Sequence, residues 1–258
     1  MRTIKPYLSA LLAKQTREDG RGVFDYRPIE IEINPIARAN GSARVRIGAS
    51  EVLVGIKMNV DKPFPDTPDE GILIANAELN PIASADFESG PPGPDAIELA
   101  RVVDRGIRES HAIDFEKLCI IPKEKVWVVF IDIYPMNDDG NLFDAASLAA
   151  MIALKHAVLP KYDEKEDKVL YKELTKEKLP MKAAPLLTTF GKISGSLFVD
   201  PTKREEKALD ARLSIATLEN GQISAMQKGG SGTFTQKEIS ELLVLAAEKS
   251  KELRKLLK

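Results

Sequence analysis

The chain has 258 residues, 43% of them hydrophobic, and its 37 Lys and Arg against 39 Asp and Glu leave a formal charge of −2. That length suits one large domain or two closely packed halves with a substantial core. The charge excludes a global attraction to nucleic acid or membrane, so any anionic partner has to be held by a local patch. A single cysteine, Cys119, excludes an internal disulfide framework. Flanked by Leu118 and Ile120, it reads as a buried apolar thiol rather than a nucleophile. Arg2-Thr3-Ile4-Lys5-Pro6 interrupts any apolar start, so no secretory leader is expected. The apolar runs are too short to cross a bilayer, and a soluble cytoplasmic protein without membrane contact is the expectation.

In chain order, Ile4 to Gln15 forms an amphipathic helix candidate with Tyr7, Leu8, Leu11 and Leu12 on one side, followed by the charged turn Arg17–Gly22. Pro28–Asn34, Ser42–Gly48 and Glu51–Val60 read as strands, and the first two alternate as half-exposed antiparallel strands should. Gly48-Ala49-Ser50 marks a hairpin, and the three prolines of Asp61–Gly71 mark a loop. Another strand is expected over Gly71–Leu79 and a second loop over Ser89–Pro94, with Asp95 as the N-cap of a helix running to about Ser110.

The centre of the chain is Lys125–Pro160. Its run Val126–Tyr134 is too continuous for a strand with one wet face and reads as a strand covered on both. Asn137–Asn141 is turn chemistry, and Ala145 to Val158 reads as a buried helix carrying His156. A loop entering a helix N-terminus is where backbone N–H groups and the helix dipole would hold a phosphate. Here that place carries Asp138, Asp139 and Asp144, with no Lys or Arg between Lys125 and Lys155, so it is hostile to anions. Beyond it, Lys161–Lys182 is read as a charged surface excursion with a short edge strand at Val169–Tyr171. Strands are expected over Pro185–Lys192, Gly195–Val199, Arg212–Leu218 and Gln222–Gln227, the last two joined by an Asn220-Gly221 turn. A last helix, from about Thr235 to Leu257, keeps Ile239, Leu242, Leu243, Leu245 and Ala246 inward. Strands then helix, strand then helix, and strands then helix again make an α+β chain of two similar halves, 1–122 and 123–258, forming a single compact domain.

On a helical wheel, Leu99, Val102, Val103, Gly106 and Ile107 cluster on one side of the Asp95–Ser110 helix. Arg101, Arg105 and Arg108 share a narrow sector opposite. Such a stripe suits the phosphates of a strand, because each guanidinium offers a planar donor fork. It equally suits a solvated face neutralised by Glu98, Asp104 and Glu109. Asp138, Asp139, Asn141 and Asp144 carry oxygens of the kind that ligate Mg²⁺ or Ca²⁺, but the spacing is not that of an EF-hand, and a capped turn is the simpler reading. His111 and His156 have no Cys or His neighbours that suggest zinc, and His111 is placed to cap the arginine helix. Gly229–Gly232 lacks the Lys-Ser/Thr of a P-loop. Asp200 and Asp210 read as surface residues near strand ends. No metal or cofactor is expected.

Four separated segments, ELARVVDRGIRES, DDGNLFDAASLAA, VDPTKREE and AMQKGG, resemble archaeal exosome subunits of the RNase PH family, the non-catalytic ring type, over nearly the whole chain. Asp19-Gly20-Arg21 and Pro65–Asp69 fit the same pattern. The resemblance implies a fold of paired β-α units and a ring of three heterodimers. In that ring a catalytic RNase PH-like subunit degrades single-stranded RNA 3′→5′ with phosphate, beneath RNA-binding cap subunits. Active members hold the attacking phosphate at the loop before the central helix. Here the matching Gly140–Asp144 carries no arginine. Of their two aspartates, the second is matched to Asp210, and the first is replaced within Lys203–Glu206. The implied role is a non-catalytic subunit lining the RNA path with Arg101, Arg105 and Arg108. Two rivals stand beside it: an autonomous phosphorolytic nuclease using Asp210, and a Mg²⁺-dependent small-molecule enzyme using Asp138, Asp139 and Asp144.

Overall fold

The computed structural model describes residues 4–163 and 165–257; Arg2 and Thr3 of the N-terminal run lie outside them. Helix α1 (Ile4–Leu12) leads to strands β1 (Ile29–Ile33), β2 (Gly41–Ile47), β3 (Ser50–Asp61) and β4 (Ile72–Ala77), then helix α2 (Pro94–Glu109). A short β5 (Cys119–Ile121) and the long β6 (Lys125–Asn137) precede helix α3 (Leu142–Lys155). Next come β7 (Val158–Asp163), β8 (Lys168–Lys178), β9 (Leu186–Ile193), β10 (Ser196–Val199) and the one-turn helix α4 (Lys203–Glu206). Strands β11 (Ala211–Thr217) and β12 (Ile223–Gly229) and helix α5 (Gln236–Arg254) close the chain.

One sheet has the order β1-β2-β3-β6-β4, with β5 on the edge of β6; β4 runs parallel to β6 and the other pairs are antiparallel. The second, β10-β9-β11-β12, is antiparallel throughout. Val45, Ile47, Val52, Val54, Ile56, Val129, Ile131 and Ile133 fill the inner face of the first sheet. Helices α2 and α3 lie between the sheets: α3 touches β2, β3 and β9, and α2 touches β4 and β12. Helix α5 covers the far side of the second sheet through β9 and β11. Sandwiching explains why α3 is buried from Phe143 to Leu154 without a polar stripe. Each of its large buried side chains, such as Leu148 and Ile152, contributes about 1.5–3 kcal/mol by leaving water. Gly41 lets α3 approach, because a Cβ there would lie 2.3 Å from the Ala153 carbonyl oxygen.

The α+β architecture is the one expected from the sequence, with differences that have local causes. Strand β6 hydrogen-bonds to β3 in the first sheet, so the expected boundary between residues 122 and 123 cuts through that sheet. Only Val126–Val129 are buried in a continuous run; from Phe130 to Tyr134 burial alternates, because the outer sheet face is left open. Cys119 is half-buried at the edge of this sheet. Helix α2 is capped two residues earlier than expected, with Gly93 as N-cap and Pro94 in its first turn, so Asp95 lies inside it. Its C-cap is Ser110, and His111 takes a left-handed turn conformation (φ 50°). His156 ends α3 rather than lying within it, its ring Nδ1 2.9 Å from the Ile152 carbonyl. The charged excursion is a two-stranded arm, β7 against β8. Charges on both faces of the arm concealed its alternation. Tyr7 is 49% exposed, while Leu8 and Leu12 are buried and anchor α1 with Ile4 packed beside them.

Candidate functional site

The loop Asp138–Asn141 turns the chain from β6 into α3, with left-handed backbone at Gly140 (φ 88°) and Asn141 (φ 58°). A Cβ on Gly140 would lie 2.5 Å from the Lys203 nitrogen, so glycine is required where this loop presses on the start of α4. Ser50 pins the loop: its hydroxyl donates to the Gly140 carbonyl (2.6 Å) and accepts from the Asp139 N–H (3.0 Å). Asn141 does not cap the helix with its side chain. Its amide nitrogen points inward and donates to Asp144 Oδ2 (2.9 Å) and Asp200 Oδ1 (2.8 Å).

Behind the loop lies a buried charge network. Arg27 donates to Asp200 through Nε (2.9 Å) and Nη2 (2.7 Å), and to the carbonyls of Asp139 (2.7 Å) and Gly140 (3.0 Å). Arg21 adds a further bond to Asp200 at 2.7 Å. Burial works against the Asp200 charge, but Arg27 outweighs it and holds the carboxyl below its usual range. Asp200 is 0% exposed, which corrects the surface reading: its partners Arg21 and Arg27 lie more than 170 positions away. Asp144 accepts from Tyr26 Oη (2.7 Å) and the Thr189 N–H (3.0 Å); burial nevertheless pushes its carboxyl up to about 6. Asp138 pairs with Lys203. Asp138, Asp139 and Asp144 therefore turn to three different partners and do not converge on one ion. No group of metal-ligating side chains occurs among the described residues.

In front of the loop is a cavity of about 300 Å³ lined by Phe87, Glu98, Asp138, Lys203, Glu206 and Arg212, among others. Its cations are engaged: Lys203 by Asp138, and Arg212 by Glu98 at 2.5 Å. Glu206 accepts from the Asn141 N–H at 2.8 Å. Asp210, matched above to a family aspartate, does not line this cavity. It lies one residue ahead of β11, and its carboxylate turns back to the β9–β10 hairpin, accepting from the Ser194 N–H (2.6 Å) and pairing with Lys5. Glu205 is buried against Arg17 and forms a capping box with Thr202. The sequence reading missed Arg27, Tyr26, Glu206 and Arg212. The Thr202-x-x-Glu205 pattern was the one local signal available, and it announces α4 rather than a cavity.

On α2, Leu99, Val102, Val103, Gly106 and Ile107 are buried and Arg101, Arg105 and Arg108 are exposed, as the wheel requires. Arg108 is tied to Asp104 (2.7 Å) and to the Leu73 carbonyl (2.9 Å). Among the described residues, Arg101 and Arg105 have no hydrogen-bond or ion-pair partner, and Glu98 is drawn away to Arg212.

Domain 1 of the 3′ exoribonuclease family, RNase PH, matches residues 25–160, and domain 2 matches residues 183–249. The exosome complex component Rrp42 of Thermococcus gammatolerans is 50% identical over 248 residues, 96% of this chain and 91% of that protein. The same component of Methanosarcina acetivorans is 48% identical over 250 residues, 97% of this chain and 91% of that protein. A chain of the Archaeoglobus fulgidus exosome with RNA bound to the active site superposes with a TM-score of 0.92 at 43% identity, covering 100% of this chain and 98% of that one. With both domain models matched in order and relatives alike along nearly their whole length, the chain belongs to the 3′ exoribonuclease (RNase PH) family.

Proposed function

We propose that this chain is a non-catalytic, structural and RNA-binding subunit of a cytoplasmic exosome ring. It supports 3′→5′ phosphorolytic RNA degradation by a catalytic RNase PH-like partner, with which it forms a ring of three heterodimers beneath RNA-binding cap subunits. The whole chain acts as one RNase PH-like unit. The observation that carries this reading is a contrast in cations. Lys203 and Arg212 beside the α3 loop are engaged by carboxylates, whereas Arg101 and Arg105 on α2 are exposed and, among the described residues, without a protein partner. Phosphorolysis requires a positioned phosphate whose charge is neutralised, and among the described residues no free cation stands at this loop. A free guanidinium on the surface suits the phosphates of single-stranded RNA. The relatives' names support the exosome assignment, and exposed apolar side chains such as Phe64 (54%) and Ile82 (75%) suit association. No helix among the described residues is long and apolar enough to cross a membrane.

The rival nuclease reading would need Asp210 at the cavity, and Lys5 holds it elsewhere. The Mg²⁺ enzyme would need three convergent carboxylates, and they diverge. The test is RNA shortening with inorganic phosphate and Mg²⁺ by the chain alone, by a catalytic homologue, and by both after co-purification. The chain alone is expected to release no nucleoside diphosphates. Phosphate-dependent release abolished by Asp210→Ala would overturn the reading.

A further inference from the structure

The outer face of the first sheet, turned away from α2 and α3, carries a cavity of about 280 Å³ lined by Lys57, Met58, Asn59, Phe130 and Tyr171. Lys57 and Phe130 are cross-strand partners on β3 and β6, and Asn59 follows Lys57 by two positions. Those three side chains therefore share the outer face, while Met58 turns into the core. Tyr171 comes from β8 of the arm, which packs against β3. Its hydroxyl donates to Asn59 Oδ1 (3.0 Å), and Lys57 Nζ lies 4.9 Å from its ring centroid. The bond fixes the side chain, yet Tyr171 is still 48% exposed and keeps aromatic surface open. Residues 161–182 separate the two matched family domains, so Tyr171 lies outside both.

The cations at this groove differ from others nearby. On β2 of the same face, Arg44 and Arg46 are paired with Glu30, Glu32 and Glu51, and on the arm Lys161 is paired with Glu173. Lys57 gives one proton to the Arg38 carbonyl (3.2 Å), and Arg38 is itself exposed. Among the described residues, neither has an acid within ion-pair range, and the Asn59 amide nitrogen has no acceptor. An apolar protein partner seated here would desolvate both charges without a counter-ion. Single-stranded nucleic acid supplies what each group lacks: a base to stack on an aromatic face, base-edge acceptors for an amide, and phosphates for lysine and arginine. We propose that this groove is a second contact for single-stranded RNA, with one base against Phe130 and Tyr171 and its flanking phosphates on Lys57 and Arg38. The proposal rests on the RNA-binding reading and adds a site on the side of the first sheet opposite α2.

The test uses the full chain and a short fluorescein-labelled oligouridylate, read by anisotropy. An Arg101→Ala, Arg105→Ala background leaves sites outside α2 to report. In that background Tyr171→Ala should weaken the remaining binding about tenfold, the scale of one lost base stack. Tyr171→Phe keeps the ring and loses only the Asn59 bond, so it should bind closer to the parent than to the Ala variant. Lys57→Met keeps the apolar stem and should flatten log K against log salt by roughly 0.7, one phosphate of a single strand. Circular dichroism establishes that each variant is folded. A tyrosine that merely anchors the arm predicts lower stability in urea with RNA affinity unchanged, and that result in a folded Tyr171→Ala protein overturns the proposal. Ultraviolet cross-linking of the same oligonucleotide carrying thiouridine, mapped by mass spectrometry, should mark Tyr171 or Phe130; cross-links confined to other segments overturn it too. So does a background protein with no residual RNA binding. If Tyr171→Ala leaves RNA affinity alone and blocks co-purification with a catalytic homologue, the groove is a protein interface and the proposal falls. RNA binding unchanged on making the arginine background would overturn the role given to α2 instead, so the two failures are separate.

Discussion

Arg27 and Arg105 carry the same side chain and do opposite things with it. Arg27 is 6% exposed and surrounded by acceptors from Asp139, Gly140 and Asp200. Arg105 stands on the open face of α2 with no such acceptor among the described residues. A guanidinium whose donors are all engaged by the protein has nothing left for a phosphate, and removing it strands a buried charge. One left in water costs little to hold and is free to bind. The difference separates the two arginine regions into a buried joint between the sheets and an exposed face that, on the function proposed above, is the one available to RNA. Arg108 lies between the extremes, exposed but tied to Asp104 and Leu73.

Three measurements put this contrast at risk. The largest effect is expected for Arg27→Met. With Arg27 gone, Asp200 keeps Arg21 and Asn141 but loses its two-pronged partner, and the loop carbonyls lose their donor. Removing one member of a buried pair costs about 3–5 kcal/mol, which urea denaturation would register. A loss below about 1 kcal/mol, the scale of an exposed pair, would erase the distinction from the surface arginines.

Asp144→Asn probes the titrating side of the same joint. The folded protein holds the Asp144 carboxyl near 6, above the ordinary 3.8. A raised carboxyl binds its proton more tightly when folded. Its contribution is therefore fully present below about pH 4 and lost as pH rises towards 6. At 1.36 kcal/mol per pK unit, the wild type should lose roughly 2–3 kcal/mol across that window. The Asn variant should lack this component, because its amide oxygen still accepts from Tyr26, Asn141 and Thr189. Denaturation curves for both proteins at pH 4 and pH 7 decide it; parallel pH profiles would show that Asp144 carries no such penalty.

The smallest stability effect belongs to the pair Arg101→Ala and Arg105→Ala, expected within about 0.5 kcal/mol because neither side chain has a hydrogen-bond or ion-pair partner among the described residues. Their effect should appear in RNA binding by the assembled ring. Releasing one phosphate of a single strand flattens log K against log salt by roughly 0.7, so releasing two flattens it by about 1.4, similarly for all RNA sequences. Arg108→Ala alone should change the slope less. An unchanged slope in an intact ring, checked by light scattering, would make the whole stripe a solvated face; dissociation of the ring would make it an interface.

Local features were legible in the chain alone. Apolar periodicity placed both faces of α2, and Leu99, Val102 and Ile107 turned inward as expected. The turn chemistry of Asn137–Asn141 announced the loop before α3, and Asn220-Gly221 announced the turn between β11 and β12, with Gly221 at φ 82°. The placement of the charges came from tertiary packing. Asp200 looks like a strand-end residue until the packing of the N-terminal segment brings Arg21 and Arg27 onto it. Asp210 and Arg212 are two apart in the sequence, yet Asp210 stops short of β11 and is drawn to Lys5 and Ser194, while Arg212 enters the strand and reaches Glu98 of α2. Strand β6 joined the first sheet because β3, more than sixty positions earlier, pairs with it along nearly its whole length. Helix caps and wheels depend on neighbours a few residues away and are written in order along the chain. Ion pairs and sheet partners depend on which distant segments share one low-dielectric space, and only the packed fold brings those together.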